Sequence, residues 1–250
     1  MKIEHLPLLK SVSAPTVHPD GLRAVVSVTR ADFDGDAYVG QLWNIPLAGE
    51  GQQTMPARRI TRGFHDSAPL FSPNGSVLAF LRSEPGKPAQ LCIVDADGGE
   101  PLTITDRKLG VGSFDWSPDS HRIVFSARVP EEGRYGTLEG VSAGAEDPRH
   151  ITGLKFRMNG LGYTADKRAQ LFLLDVPAVD AEPAVSPVGR ARKLPEGTAK
   201  DADFPIVPQA RQLTSADADH SAPRFTRDGT RILFSAELHP GADRDLVSDV

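Results

Sequence analysis

Short apolar runs come in pairs along this chain, each pair separated by a tight polar turn. In Leu70-Phe71-Ser72-Pro73-Asn74-Gly75-Ser76-Val77-Leu78-Ala79-Phe80 one run leads into Pro-Asn-Gly and a second leads out. The same pattern, with its leading Ser67-Ala68-Pro69, returns at Ser221-Ala222-Pro223 through Phe234, and more loosely from Ser13-Ala14-Pro15 to Val26. A further copy, Phe114 to Phe125, lacks the Ser-Ala-Pro lead. Each copy predicts strand, turn, strand. Proline presets φ at the first corner, Asp or Asn tolerates the bridge region, and Gly accepts a positive φ. Ser120 stands in place of that glycine in the copy around Pro118, so its turn is expected to carry strain of roughly 1 kcal/mol.

Aligned on the turn, Pro19, Pro73, Pro118 and Arg227 lie about 54, 45 and then 109 residues apart. A strand-built period of roughly 40–50 residues is the mark of propeller blades. Three features repeat in phase with it. Gln41-Leu42, Gln90-Leu91 and Gln170-Leu171 open third strands; Arg59-Ile60-Thr61, Pro101-Leu102-Thr103 and Arg211-Gln212-Leu213-Thr214 close units; His65-Asp66-Ser67 and Asp219-His220-Ser221 open them. The polar openers are expected to tie one blade's edge to the next by hydrogen bonds.

The chain therefore reads as all-β, an incomplete propeller of four-stranded antiparallel blades occupying residues 1–250. The blades fall at about 13–61, 67–105 and 112–214, with an incomplete one at 221–236. The first has strands near Thr16–His18, Leu22–Val28, Gln41–Pro46 and Arg58–Thr61. The second has Leu70–Ser72, Val77–Leu81, Gln90–Asp95 and Pro101–Thr105, with Asp97-Gly98-Gly99 as a hairpin turn. Its inner strands are continuously apolar, as expected of a blade covered on both faces. The third starts at Phe114–Trp116 and Arg122–Ser126 and resumes at Gln170–Asp175, interrupted by insertions at 129–169 and 177–209. Three and a half blades cannot close a ring and leave backbone groups and apolar faces unpartnered. The expectation is that the natural chain continues past Val250 or pairs with another copy.

Composition narrows the function. Hydrophobic residues make up 39 % and charged residues 24 %, ordinary values for a globular protein. A formal charge of −5 argues against nucleic acid as the partner. The single cysteine, Cys92, lies in the apolar run Leu91–Val94 and reads as a buried structural thiol. Glu4 and Pro7 interrupt the N-terminal stretch where a signal peptide needs an apolar run, and no segment approaches a membrane span. A cytoplasmic protein without membrane partners is expected.

Two motifs suggest chemistry and fail on context. Asp32-Phe33-Asp34-Gly35-Asp36 alternates aspartates as a calcium loop does, yet its glycine comes one residue early and Trp43 stands where a bidentate Glu belongs. A solvated hairpin tip is the reading, and no metal or cofactor is expected. Gly140-Val141-Ser142-Ala143-Gly144 matches Gly-x-Ser-x-Gly. A nucleophile elbow needs a buried strand before the serine and a helix after it; here the lead-in is polar and Pro148 breaks the lead-out. No catalytic residue is assigned.

The blade turns, followed by Leu-Ala-Phe, Gln-Leu-x-Ile-Val-Asp and Gly-Gly-x-Pro-Leu-Thr, resemble the N-terminal propeller of the prolyl oligopeptidase family, and also the Tol-system propeller. The segment Ile151-Thr152-Gly153-Leu154-Lys155-Phe156-Arg157-Met158-Asn159-Gly160-Leu161-Gly162-Tyr163 is similar to one found in acylaminoacyl-peptidase-like propellers. That resemblance implies seven blades in the parent, set over a C-terminal α/β-hydrolase domain with a Ser-Asp-His triad, which is absent from this chain. It implies a segment that gates short peptides to a serine peptidase acting near the peptide N-terminus, inactive alone. Its partners would be the peptide, the chain's own hydrolase domain and another copy in a homo-oligomer. Arg157 and Asn159 are the substrate-contact residues it suggests. The alternative is a free-standing Tol-like propeller that binds protein without catalysis.

Overall fold

The computed structural model of the protein describes residues 2–47, 55–180 and 207–250. Most of the second insertion, 181–206, lies outside the described residues. What is described is antiparallel sheet with a few 3₁₀ turns, and no α-helix among the described residues.

The first unit holds β1 (Lys10–Val12), β2 (Thr16–Val17), β3 (Arg23–Asp32), β4 (Ala37–Pro46) and β5 (Arg58–Arg59). The second holds β6 (His65–Phe71), β7 (Val77–Ser83), β8 (Gln90–Asp95) and β9 (Leu102–Thr103). After β10 (Val111–Trp116) and β11 (Arg122–Arg128) comes a small separate hairpin, β12 (Arg157–Met158) with β13 (Gly162–Tyr163). Next, β14 (Ala169–Asp175) and β15 (Arg211–Gln212) complete the third sheet in the order β10-β11-β14-β15. The last pair is β16 (His220–Phe225) with β17 (Ile232–Ala236). The first two units share one sheet through a single parallel bridge, Gly40↔His65. A Cβ on Gly40 would lie 2.8 Å from the His65 ring, so only glycine allows that approach.

The strands run longer than their apolar runs wherever the ladder continues. β3 and β4 pair without a break from Arg23↔Pro46 to Asp32↔Ala37, which makes residues 33–36 the exposed tip of a hairpin. Polar residues at the far end are carried by register, since one regular ladder sets every pair along it. The outer strands β5, β9 and β15 are shorter than expected, two residues each, because each pairs along one edge only. The hairpin β12–β13 and the strand β1 lie outside the apolar pattern.

The repeated turns share one hydrogen-bonding scheme. A Ser or Thr hydroxyl before the turn contacts the Asn or Asp two residues on: Ser72 to Asn74 (2.7 Å), Ser117 to Asp119 and Thr226 to Asp228. The same oxygen accepts the backbone N–H five residues on, from Val77 (3.0 Å), Arg122 (2.9 Å) and Arg231 (3.1 Å). These are local loops in which short polar side chains stand in for backbone partners. The left-handed position is filled by Gly21, Gly75 and Gly229, and in the third copy by Ser120 at φ 63°. The Ser-Ala-Pro lead is a β-bulge, with register shifts between Ser67 and Leu70 and between Ser221 and Arg224. Ala68 and Ala222 at its centre both take φ 49°.

The units stack face to face. Side chains on β8 alternate between two cores. Leu91 and Ile93 join Ile104, Phe114, Trp116, Ile123 and Phe125 on the side of the third unit. Cys92 and Val94 join Val25, Leu42, Phe71 and Phe80 on the side of the first. Period-2 alternation with both faces buried is what makes the inner strands uniformly apolar. Backbone-to-side-chain bonds stitch equivalent positions of neighbouring units. Phe71 N donates to Thr16 Oγ1 (3.2 Å) and Phe225 N to Asp115 Oδ2 (2.8 Å). Between the second and third units, where Leu70 offers no side-chain acceptor, Trp116 Nε1 donates to the Leu70 carbonyl instead (3.1 Å).

Candidate functional site

The first insertion, 129–169, builds the one polar chamber of note among the described residues. Its base is Asp166, buried at 7 % exposure. Tyr135 Oη donates to Asp166 Oδ1 (2.8 Å) and Arg149 Nε to Asp166 Oδ2 (2.6 Å). Arg149 also reaches Glu146 Oε2 (3.1 Å), whose other oxygen accepts the Tyr135 backbone N–H (2.7 Å). Burial pushes the Asp166 carboxyl up, but the hydrogen bonds from Arg149 and Tyr135 outweigh it and hold it below the ordinary range. Burial likewise opposes charge on Arg149, and Asp166 and Tyr135 override it, raising its pKa. The Tyr135 phenol is raised, first by burial and then by its hydrogen bond to Asp166. Lys167 is lowered by burial and by the nearby Arg128.

Above this base lies an open cavity of 870 Å³ between the insertion and the end of the chain, lined among others by Arg149, Lys155, Arg157, Tyr163, Glu237 and Asp243. Its walls are tied together. Asp243 accepts the backbone N–H groups of Leu154 and Lys155, both at 2.7 Å, and Lys155 pairs with Glu237. Those two backbone bonds hold the Asp243 carboxyl below its usual value.

Of the two residues singled out in the sequence, Arg157 lines this cavity, across the β12–β13 ladder from Tyr163, with its guanidinium 5.7 Å from the Tyr163 ring centre. Asn159 sits exposed in the turn of the same hairpin. The residues that shape the chamber, Tyr135, Arg149, Asp166 and Asp243, gave no sequence signal, because their partners, apart from Glu146 three positions before Arg149, lie 11 to 89 positions away.

Ser142 is exposed, in extended backbone (φ −76°, ψ 162°) at the start of a three-residue 3₁₀ turn. No strand leads into it, and its hydroxyl meets no histidine by hydrogen bond among the described residues. Cys92 is buried, and burial pushes its thiol up. The unit openers do tie units together. Ser27 Oγ of the first unit donates to the Asp66 carbonyl (2.7 Å), and Asp219 accepts from Arg128 Nη2 (2.7 Å) and Ala169 N (2.9 Å) of the third. His220 Nδ1 faces the carbonyls of Ala218 (3.0 Å) and Ala169 (3.3 Å), so that nitrogen carries the proton, a structural role. No three His, Cys, Asp or Glu side chains among the described residues stand together as metal ligands. No helix among them is long and apolar enough to cross a membrane.

No protein-family model matches the chain. Over 249 residues, 99 % of its length, it is 28 % identical to the uncharacterized peptidase YuxL of Bacillus subtilis (strain 168), and it spans 33 % of that protein. In fold it is similar to an acylaminoacyl peptidase of Pyrococcus horikoshii, with TM-score 0.51 and 16 % identity over 68 % of this chain and 23 % of that one. It is also similar to a puromycin-hydrolyzing peptidase of Mycobacterium tuberculosis, with TM-score 0.51 and 12 % identity over 91 % of this chain and 28 % of that one. The chain thus resembles a peptidase along nearly its whole length, and its stacked antiparallel units are similar in fold to parts of solved peptidases.

Proposed function

We propose that the chain is the substrate-gating propeller portion of a serine peptidase that cleaves short peptides near their N-terminus, of the acylaminoacyl-peptidase or dipeptidyl/aminopeptidase-like kind. The observation that carries this is the alignment of 99 % of the chain with a third of a peptidase. The catalytic serine, aspartate and histidine then belong to an α/β-hydrolase domain on the same polypeptide, and none lies in these residues. The stacked units are the rigid wall, and their turns and insertions are the parts that meet the substrate, since loops on a rigid scaffold carry binding. The blades are assigned to about 13–61, 67–105, 112–214 and 221–236.

Gating by size gives a sharp test. The full-length gene product should hydrolyse acylated or free aminoacyl p-nitroanilides and short peptides while sparing an unfolded protein of the same composition. Deleting the propeller segment should narrow that difference at least tenfold in kcat/KM. The 250-residue chain alone should show no hydrolysis, and Ser142→Ala should change nothing in either protein. A gene without a hydrolase domain, or length discrimination that survives removal of the propeller, would sink the reading.

A further inference from the structure

Most of the charged groups lining the 870 Å³ cavity are held in ion pairs, and a few stand outside them. Arg149 is held by Asp166 and Glu146, Arg134 stands 3.8 Å from Glu146, Lys155 pairs with Glu237, and Arg168 with Asp217 at 2.7 Å. Arg157 is the lining cation with no carboxylate partner among the described residues. Its ladder pairing with Tyr163 sets the guanidinium against the ring at 5.7 Å, while Arg149, already neutralised, takes the same ring at 4.5 Å. Phe156 and Met158, 38 % and 58 % exposed, flank Arg157 in sequence and give the lining apolar surface beside the charge. Asp219 is engaged by Arg128, which leaves Glu131 and Asp243, the latter held by two backbone amides, as the lining carboxylates without an ion-pair partner among the described residues. Those charges disfavour a polyanion and favour a ligand whose negative charge is confined to one end.

We propose that Arg157 receives the free C-terminal carboxylate of a short peptide, with the peptide's apolar side chains against Phe156, Met158 and the Tyr163 ring. The assignment rests on the peptide-gating reading above and names the end of the peptide that the propeller holds. A planar guanidinium takes a carboxylate by two parallel N–H···O bonds, and apolar surface beside it supplies area without competing for the charge.

The test is fluorescence anisotropy with the 250-residue chain and an N-terminally fluorescein-labelled Gly-Phe-Leu, as the free acid and as the C-terminal amide. The acid should bind about tenfold or more tighter than the amide, the range of one charge-assisted contact, and the difference should shrink with added salt. Arg157→Gln should abolish the preference and Arg157→Lys keep only part of it, with unchanged melting curves, since Arg157 is exposed. Equal affinity for acid and amide, or an acid preference that persists in folded Arg157→Gln, overturns the assignment. The assay needs no hydrolase domain, so absent peptidase activity in the full-length product would count against the gating reading and not against this site.

Discussion

The Asn74 backbone amide donates a 3.0 Å hydrogen bond to the hydroxyl of Ser120, joining the turns of the second and third units. The residue that looks wrong within its own turn is thus the one that reaches the next. A similar contact links the first two turns, where His18 Nε2 meets the Gly75 carbonyl at 2.9 Å. Neighbouring turns therefore form a connected rim. Ser120→Ala removes the acceptor and keeps the left-handed backbone, so it should lower stability by roughly 0.5–1.5 kcal/mol. Ser120→Gly loses the same acceptor but sheds roughly 1–2 kcal/mol of left-handed strain, and should sit close to wild type. Urea unfolding with constant slope decides between them. A glycine variant less stable than the alanine variant would show that the turn carries no strain.

Asp66 is fully buried, and Arg82 grips it with Nε at 2.7 Å and Nη2 at 3.0 Å. That hydrogen bond is the main cause of the raised Arg82 pKa. Gly63 closes over the pair, since a Cβ there would lie 2.5 Å from Asp66 Oδ1. Arg82→Met strands a buried carboxylate and should cost roughly 2–4 kcal/mol, below the range for a wholly buried pair because Arg82 keeps some water contact. Adding Asp66→Asn should restore part of that loss. A double-mutant cycle measures it, and strict additivity of the two changes would mean that the pair is not coupled.

The end of the chain folds back on β17, with Ala236 N donating to the Asp249 carbonyl (3.0 Å) and Asp249 N returning to Ala236 (2.9 Å). His239 holds this clasp through Asp245 at 3.0 Å and Asp249 at 3.4 Å. Its pKa is raised, chiefly by the Asp245 hydrogen bond, which together with the charges of Asp245 and Asp249 outweighs desolvation. A group raised on folding stabilises fully below its unfolded value and loses that contribution as pH climbs through the folded value. Amide protection at Ala236 and Asp249, corrected for intrinsic exchange, should therefore be fullest below the ordinary histidine range and fall as pH climbs through the raised value. His239→Asn should remove the pH dependence. Protection that rises with pH would reverse the assignment.

The stacked units were legible in the sequence because a strand buried on both faces leaves a run such as Leu91-Cys92-Ile93-Val94, and a turn that needs a left-handed residue leaves Gly or a conspicuous Ser120. The hairpin β12–β13 was not, since strands of two residues in a segment rich in Arg and Gly have no period to detect. Nor were the bulges, where Ala68 and Ala222 adopt φ 49° against the preference of alanine. The chamber was hidden for another reason. Asp243 binds Leu154 across 89 positions, and no local pattern records a contact that only the stacked fold creates.

Alternation on β8 makes a last, directional prediction. Ile93 is fully buried in the core shared with the third unit, while Cys92, one position on the strand away, is buried in the core shared with the first. Ile93→Ala should cost roughly 2–5 kcal/mol through lost burial and the cavity it leaves. Combined with Trp116→Phe, from the same core, the two changes should couple by roughly 0.5 kcal/mol or more, because they share a cavity. Combined with Phe71→Leu, from the opposite core, they should add within about 0.5 kcal/mol. Trp116→Phe also removes the Nε1–H bond to Leu70, so its own cost should be roughly 1 kcal/mol beyond the change in ring size. Coupling of Ile93 to Phe71 as large as its coupling to Trp116 would contradict a strand that faces two separate cores, and with it the stacking of the units.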